Sequence, residues 1–502
     1  MPQLTSLVSL RHCQRCSGMA QARSTLMSNS SADTESAYGS SLTKVEPHGT
    51  EAIPDSERHG HPRQQFTLWF AANMVLAVMV SGFFSASFGL TVIEGLTAVA
   101  AGSLLGAIVM GVLAGIGAKL GVPQQVQGRG PMGYYANYVP IALLTIVSAM
   151  GWTAVNTVFA VLALQTLVDI PFWTGAVVIY AVQAIFAVWG HNLIHLINKI
   201  ASVVLAILFA FITFLSLSQI DLGVELNRDA TIFQGGFGSW VTFAGFFFAY
   251  VMTWTPFASD FSRYLPRSVS HTKVATYTAG GSFVSLMWLG GIGVLVSSFA
   301  GELGAIEALS ELTGSWAPLA MVTVVLSTLP VSAMNLYGGA LSLLTIGIPV
   351  NRVVGVAVTA VISLGIALLM AGDPYGSFYD FLNVLAYLVV PFSTVLLLDY
   401  YTRSRHLGQQ ATTELFDKSR KIEWGFFAWI FGCLFSSLFW NTSFWVGPFS
   451  EATSALGDVS YVAGVIGAAV AYFIVRQFPP LSKPKDHLTA TEAVSLHETT
   501  GR

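Results

Sequence analysis

Two tryptophans and two asparagines stand where an otherwise apolar chain has little reason to place them. They are Trp152 and Asn156 in GWTAVN, Trp254 in VMTWTPF and Asn335 in SAMN. Trp152 and Asn156 are four residues apart and so share one face of a helix. An indole beside a carboxamide suits a flat, neutral heterocycle: the ring stacks, while the amide donates to and accepts from the polar edge. Stacking a base on an aromatic side chain is worth on the order of 1–3 kcal/mol. Singly, each tryptophan is equally a packing or lipid-facing group and each asparagine a glue between helices. The four together favour a binding site.

The remaining chemistry-bearing residues are sparse. Asp260 and Arg263, three apart in ASDFSRYLP, are spaced for an ion pair that gates or braces one end of the molecule. Lys199 in HNLIHLINK opens a continuously apolar stretch, and an ionisable group inside a membrane marks a pathway unless it snorkels to the interface. Glu94 reads as an exposed acid at the outer end of the first apolar run. His191 and His195 have helical i, i+4 spacing but lack the glutamate of a zinc protease helix and a third ligand, so no metal site is expected. Cys13, Cys16 and Cys433 are too few for a disulfide framework or a four-ligand zinc site. No cofactor is implied.

What must position these groups is a membrane bundle. Of the 502 residues 54% are hydrophobic and only 10% charged, with a mean hydropathy of +0.65. The net charge of −3 offers no basic face for nucleic acid. About 20 apolar residues cross the hydrocarbon core. That ruler predicts twelve spans, near 67–93, 96–118, 138–167, 171–190, 192–218, 237–258, 274–299, 315–345, 353–371, 378–400, 424–441 and 459–477. With the N-terminus inside, 22 of the 23 Lys and Arg fall on cytoplasmic segments and only Arg228 outside. One missed helix would invert every later loop and destroy that asymmetry. The expected protein is a multi-pass membrane protein with both termini cytoplasmic. Residues 1–65 read as a disordered tail, with no cleavable signal peptide.

Pro256 has no N–H and obstructs the carbonyl one turn earlier, so the sixth span should break around Thr253 to Pro256. Irregular backbone at that depth survives only buried in protein or lining a wet cavity. Ser81 and Gly82 in MVSGFFSAS suggest a second weak point in the first span, at Val80 to Phe83. Breaks five helices apart point to an inverted repeat that binds its substrate at the midplane. The halves are then 66–218 and 235–400, followed by a loop over 401–422, two helices over 423–478 and a C-terminal tail over 479–502.

PQQVQGRGPMGYYANYVP after the second span, GWTAVN, WTPFASDFSRYLP and AMNLYGGALSL resemble the nucleobase cation symporter family 1, particularly its purine and cytosine permease branch. The resemblance runs from about Gln65 to Phe478. It implies twelve helices, ten of them in two inverted five-helix repeats with helices 1 and 6 broken, and import of nucleobases by alternating access. It places Trp152 and Trp254 about the base, Asn156 and Asn335 on its edge, and Ser81, Gly82 and Thr253 beside it. Sodium-using members carry adjacent Ser and Thr hydroxyls five or six residues before the helix 8 asparagine. This chain has Leu329 and Pro330 there, with Ser327 and Thr328 two residues too early. A hard cation needs several oxygens in one shell, so proton coupling is expected in place of sodium. Lys199, on the helix that borders the usual sodium position, is the candidate to carry it. Relatives that carry uracil, allantoin, a hydantoin, thiamine or a B6 vitamer are the alternatives, with an intramembrane enzyme or a passive channel beyond them.

Overall fold

The computed structural model describes residues 46–189, 191–218, 235–301 and 303–482. The first 45 residues, and with them most of the expected tail, lie outside that description, as do Arg228 and residues 483–502. Among the described residues eight helices are long and apolar enough to cross a membrane, one bent pair makes a ninth span, and three shorter apolar helices bring the total to twelve. Among the described residues the only strand-like pairing is one isolated bridge, Asn441 with Val446.

Span 1 is the bent pair Arg63–Asn73 and Leu76–Phe83; spans 2 to 5 are Val92–Leu120, Tyr138–Gln165, Phe172–Trp189 and His191–Leu217. Spans 6 to 10 are Gly236–Met252 with its continuation to Phe257, His271–Ala300, Ala317–Thr345, Arg352–Met370 and Pro374–Asp399. Trp424–Ser437 and Ser460–Val475 are spans 11 and 12. The first boundary is the one that moved. Residues 84–90, apolar enough to read as the end of span 1, form turns, and Thr91 begins the next helix. Thr91 and Glu94 make a reciprocal capping box, with Thr91 N–H donating to Glu94 Oε2 at 2.8 Å. Glu94 therefore caps span 2 and does not end span 1. The T-x-x-E spacing that announces such a cap was present in the sequence.

The packing repeats itself between the two halves. Span 1 lies against span 7 and span 6 against span 2, which are equivalent pairs when the five-helix units are exchanged. Span 3 against span 9 and span 8 against span 4 form a second such pair, while spans 3 and 8 meet each other. Spans 1, 2, 6 and 7 thus form one group and spans 3, 4, 8 and 9 another, with spans 11 and 12 against span 10. Glycine sets the tightest of these contacts. A Cβ on Gly82 would collide with the Gly290 carbonyl, and one on Gly293 with the Met79 carbonyl. Spans 1 and 7 touch backbone to backbone there.

The expected disorder through residue 65 is corrected from residue 46 onward. Residues 46–62 form a strap across the end of the bundle that carries Arg58, Lys119, Arg263, Arg403 and Arg420, called here the basic end. Ile53 N–H donates to the Gly121 carbonyl at 2.9 Å and His59 N–H to the Tyr264 carbonyl at 2.6 Å. Arg58 Nη1 donates to the Ala118 carbonyl at 2.9 Å. The strap has little apolar surface, and pairing with distant polar groups orders it instead. Within it, His48 sits 3.4 Å from Glu51 and 2.8 Å from Glu57, and these carboxylates raise its pKa above the ordinary 6.5.

Two outcomes follow from this packing. Gly82→Ala should lower the thermal midpoint of purified protein by an amount equivalent to about 1–3 kcal/mol of overpacking, equally with and without ligand. A loss confined to the ligand-bound form would return Gly82 to the binding site. For His48, a raised folded-state pKa makes its stabilisation complete below pH 6.5 and lost as pH rises through the shifted value. Amide exchange over residues 46–58, corrected for its intrinsic pH dependence, should therefore accelerate on the alkaline side of that value, and on the acid side only below pH 4.5, where Glu51, held down to about 2, begins to lose its contribution.

Candidate functional site

The sixth span ends at Met252, and a short 3-10 turn at Thr255–Phe257 carries the chain on. The break falls where Pro256 predicts it. Two threonines answer for the interrupted backbone: Thr253 Oγ1 donates to the Tyr250 carbonyl and Thr255 Oγ1 to the Met252 carbonyl, each at 2.7 Å. The Met252 carbonyl is the one that the Pro256 nitrogen cannot serve. Having used its proton this way, Thr253 accepts from Trp152 Nε1 at 3.0 Å, and Thr255 accepts from Ser393 of span 10 at 2.7 Å. Thr253 is thus a positioning residue, with its hydroxyl engaged on both sides.

In span 1 the break lies at Met74 and Val75, six or so residues before the expected Val80 to Phe83. The helix ends at Asn73, Val75 is extended at φ −138° and ψ 151°, and the two segments meet at a 62° bend. Met74 N–H is shared between the Phe70 and Ala71 carbonyls, and Asn73 Nδ2 donates to the Trp69 carbonyl at 2.8 Å. Ser81 and Gly82 sit in the intact second segment. Ser81 Oγ donates to the Ala77 carbonyl at 2.8 Å, and Gly82 makes the span 7 contact described above. The small residues that looked like a weak point serve helix packing.

Spans 1, 3, 6, 8 and 10 converge on the sixth-span break. Trp69 meets Trp254 edge to face at 5.4 Å, and Trp152 is ringed by Tyr250, Phe378 and Phe381 at 4.8, 5.9 and 5.3 Å. The turn after Asn335 reaches the same place, Gly338 lying against Phe257 and Gly339 against Ala149. Just before Trp152, residues Thr145–Met150 form a π-helical turn. Such single turns recur at functional sites, and Ser148 within it donates to the Thr253 carbonyl. Trp152 and Trp254 are 2% and 3% exposed, so both indoles face the protein interior.

The polar groups here divide into used and unused. Trp152 Nε1 is tied to Thr253, leaving that indole only its ring to offer. Among the described residues, Trp254 Nε1, both amide atoms of Asn156, both of Asn335, and Ser332 Oγ are buried without a hydrogen-bond partner. Leaving a buried polar group unpaired costs about 1–3 kcal/mol. A planar ligand that presents donors and acceptors to these atoms recovers that cost on binding. Sequence reasoning missed Ser332, although it lies three residues from Asn335 and so on the same helical face. It also missed Trp69 and Asn73, which carry no spacing signal of their own.

The groups at the basic end pair differently from expectation. Arg263 is bound to Glu46, Nη2 to Oε1 at 2.7 Å, and not to Asp260. Asp260 instead accepts from Gln124 N–H at 2.9 Å and Gln125 Nε2 at 3.0 Å. It lies beyond the end of the sixth span, fully buried, and burial outweighs those hydrogen bonds to push its carboxyl up to about 7. Its facing charges are Arg263 and Glu46. Lys199 is exposed on span 5 and is not brought to the convergence. It lies about two turns inside span 5, ahead of the uncharged run from Ile200 to Leu217, where a long side chain can snorkel to the interface. Ser327 and Thr328 donate to the Val324 and Val325 carbonyls of their own helix.

A family described as permeases for cytosine/purines, uracil, thiamine and allantoin matches residues 52–467. YxlA of Bacillus subtilis is 27% identical over 457 residues, covering 88% of this chain and 97% of its own. The purine-cytosine permease fcyB of Emericella nidulans is 25% identical, covering 86% and 89%. Among solved structures, Mhp1, a nucleobase-cation-symport-1 family transporter seen closed with bromovinylhydantoin bound, shares the fold. Its TM-score is 0.71 at 22% identity, over 88% of this chain and 97% of that one.

Removing an unpaired amide should separate stability from binding. Asn156→Leu and Asn335→Leu should each leave the thermal midpoint of the ligand-free protein unchanged or higher, because a buried polar group without a partner is lost. Each should reduce saturable ligand binding at least about tenfold. A destabilised protein that still binds would make these asparagines structural.

Proposed function

The chain belongs to the family of permeases for cytosine/purines, uracil, thiamine and allantoin, and from that premise we propose that it imports a neutral, planar nucleobase, cytosine or a purine, by cation symport. It is a transporter and not an enzyme. One observation carries the choice of ligand. Asn156 and Asn335 are each buried with both amide atoms unpaired, and Asn156 lies one helical turn after Trp152, an indole whose N–H is already engaged. Two carboxamides supply two donor nitrogens and two acceptor oxygens, which suit the alternating donors and acceptors of a nucleobase edge. Trp152 and Trp254 supply the stacking surface, and Ser332 adds one further hydroxyl.

The distribution of Lys and Arg supports an orientation with the basic end and both termini in the cytoplasm, and an importer of this kind acts in the plasma membrane. The substrate enters from the outer side, is held where spans 1 and 6 break, and leaves at the basic end as spans 1, 2, 6 and 7 move against spans 3, 4, 8 and 9. The coupling ion is a proton. Leu329 and Pro330 stand in place of two hydroxyl ligands, and the Ser327 and Thr328 hydroxyls are turned to their own helix. Asp260, buried at the cytoplasmic end of the moving group and close to neutrality in its titration, replaces Lys199 as the group that exchanges it.

Uptake of labelled cytosine and hypoxanthine into proteoliposomes tests the reading. Accumulation should require an inward proton gradient, survive removal of sodium and vanish with an uncoupler. Competition by uracil, allantoin, a hydantoin, thiamine and pyridoxine should be at least about tenfold weaker than by the transported base. Asp260→Asn should keep exchange of internal for external base and lose concentrative uptake. Sodium-dependent accumulation, or concentrative uptake by Asp260→Asn, would overturn the proton assignment, and preferential uptake of another compound would overturn the cargo.

A further inference from the structure

Glu46 is a carboxylate where burial is least expected, in a polar strap at the edge of the protein. Its side chain is fully buried. Taking a carboxylate out of water costs several kcal/mol unless charge and hydrogen bonds replace the lost hydration. Here the replacement is nearly complete. Oε1 accepts from Arg263 Nη2 at 2.7 Å, Tyr264 Oη at 2.6 Å and Tyr337 Oη at 3.1 Å, and Oε2 accepts from the His191 backbone N–H at 3.1 Å.

The donors come from both packing groups. Arg263 and Tyr264 continue span 6, Tyr337 lies in span 8, and His191 opens span 5. One oxygen therefore holds span 6 to span 8 across the seam along which the two groups would slide. Arg263 adds to the closure by donating to Tyr337 Oη at 3.1 Å and to the Gly49 carbonyl at 2.6 Å. No single atom can stay within hydrogen-bond distance of Arg263, Tyr264 and Tyr337 once spans 6 and 8 part. The remaining strap contacts, with Gly121, Ala118 and Asn192, hold the segment that presents Glu46 against the ends of spans 2 and 5.

We propose that residues 46–58 are a latch that holds the cytoplasmic end shut, with the Glu46 carboxylate as its bolt, and that this carboxylate must leave its donors before substrate exits. The proposal deepens the transport reading and takes from it only the direction of motion.

Distances across the seam test it without any substrate, so an error in the cargo leaves the result unaffected. In the full-length chain with Cys13, Cys16 and Cys433 changed to Ser, spin labels are placed through Ser268→Cys, after span 6, and Ile348→Cys, after span 8. Both positions are exposed. Electron–electron resonance should give one dominant short distance in that background. Glu46→Gln and Glu46→Ala should raise a longer-distance population by at least about tenfold, as expected when one partner of a buried charge pair is neutralised. Tyr337→Phe, which removes a single hydroxyl, should move it the same way by less. Distances in Glu46→Gln and Tyr337→Phe that superimpose on the background would overturn the proposal and leave the strap a static brace, whether or not Glu46→Ala folds.

Discussion

The structure depends on how an interrupted helix satisfies its backbone in the middle of a membrane. Lipid offers no partner for a carbonyl, so a break in a spanning helix stands only where other protein groups take up what is freed. Pro256 creates the break in span 6, and the hydroxyls of Thr253 and Thr255 absorb it by donating to the Tyr250 and Met252 carbonyls. Those same hydroxyls then accept from Trp152 and Ser393, which locks spans 3 and 10 to the break. One local deficit therefore fixes the orientation of an indole and the placement of two other helices. A proline without flanking threonines would leave the same deficit open and the indole unanchored.

Around this fully satisfied backbone lies a set of unsatisfied side chains, and the contrast is informative. Natural interiors pair nearly all buried polar atoms. Here Asn156, Asn335, Ser332 and Trp254, on three of the spans that converge at the sixth-span break, together leave six side-chain atoms unpaired. A protein keeps such a cost where a ligand offsets it, in the manner of other sites that trade stability for activity. The rigid and the unpaired elements are complementary: the first hold the geometry, the second are free to pair with a ligand.

Much of this was legible in the sequence, for reasons that differ by element. Twelve spans follow from apolar length alone, and the sixth-span break follows from one proline, whose effect is local. The four central residues were visible because a carboxamide or an indole is unusual at that depth. The first-span break was not visible, since Met74 and Val75 carry no proline or glycine to announce it. Ser81 and Gly82 misled for a related reason: glycine permits both a break and a close helix contact, and here it makes the contact with Gly290. The strap was hidden because composition measures apolar burial, whereas Glu46 is ordered by Arg263 more than two hundred residues away. Asp260 and Arg263 were spaced for each other and found other partners, which spacing cannot foresee.

The candidate site and the Arg263 anchor of the strap lie on one short stretch of chain, the eleven residues from Thr253 to Arg263, and a packed series of rings joins the site to the strap. Trp254 meets Trp69 at 5.4 Å, Trp69 meets Phe261 at 5.6 Å, Phe261 meets Tyr337 at 5.7 Å, and Tyr337 bonds Glu46. Contiguity alone is not coupling; coupling needs an element with two arrangements that both ends bias. The segment after the sixth-span break meets that requirement. It has irregular turns where a helix would be stiff, it carries Trp254 at one end and Arg263 at the other, and it belongs to the group of spans proposed to move. A ligand stacked on Trp254 stabilises one position of this segment, and Glu46 bound to Arg263 stabilises one as well. If both favour the same position, binding reinforces closure; if they differ, binding draws the bolt. The second alternative is the one a symporter needs at its inner face, because an exit that opened without cargo would let the coupling ion through alone.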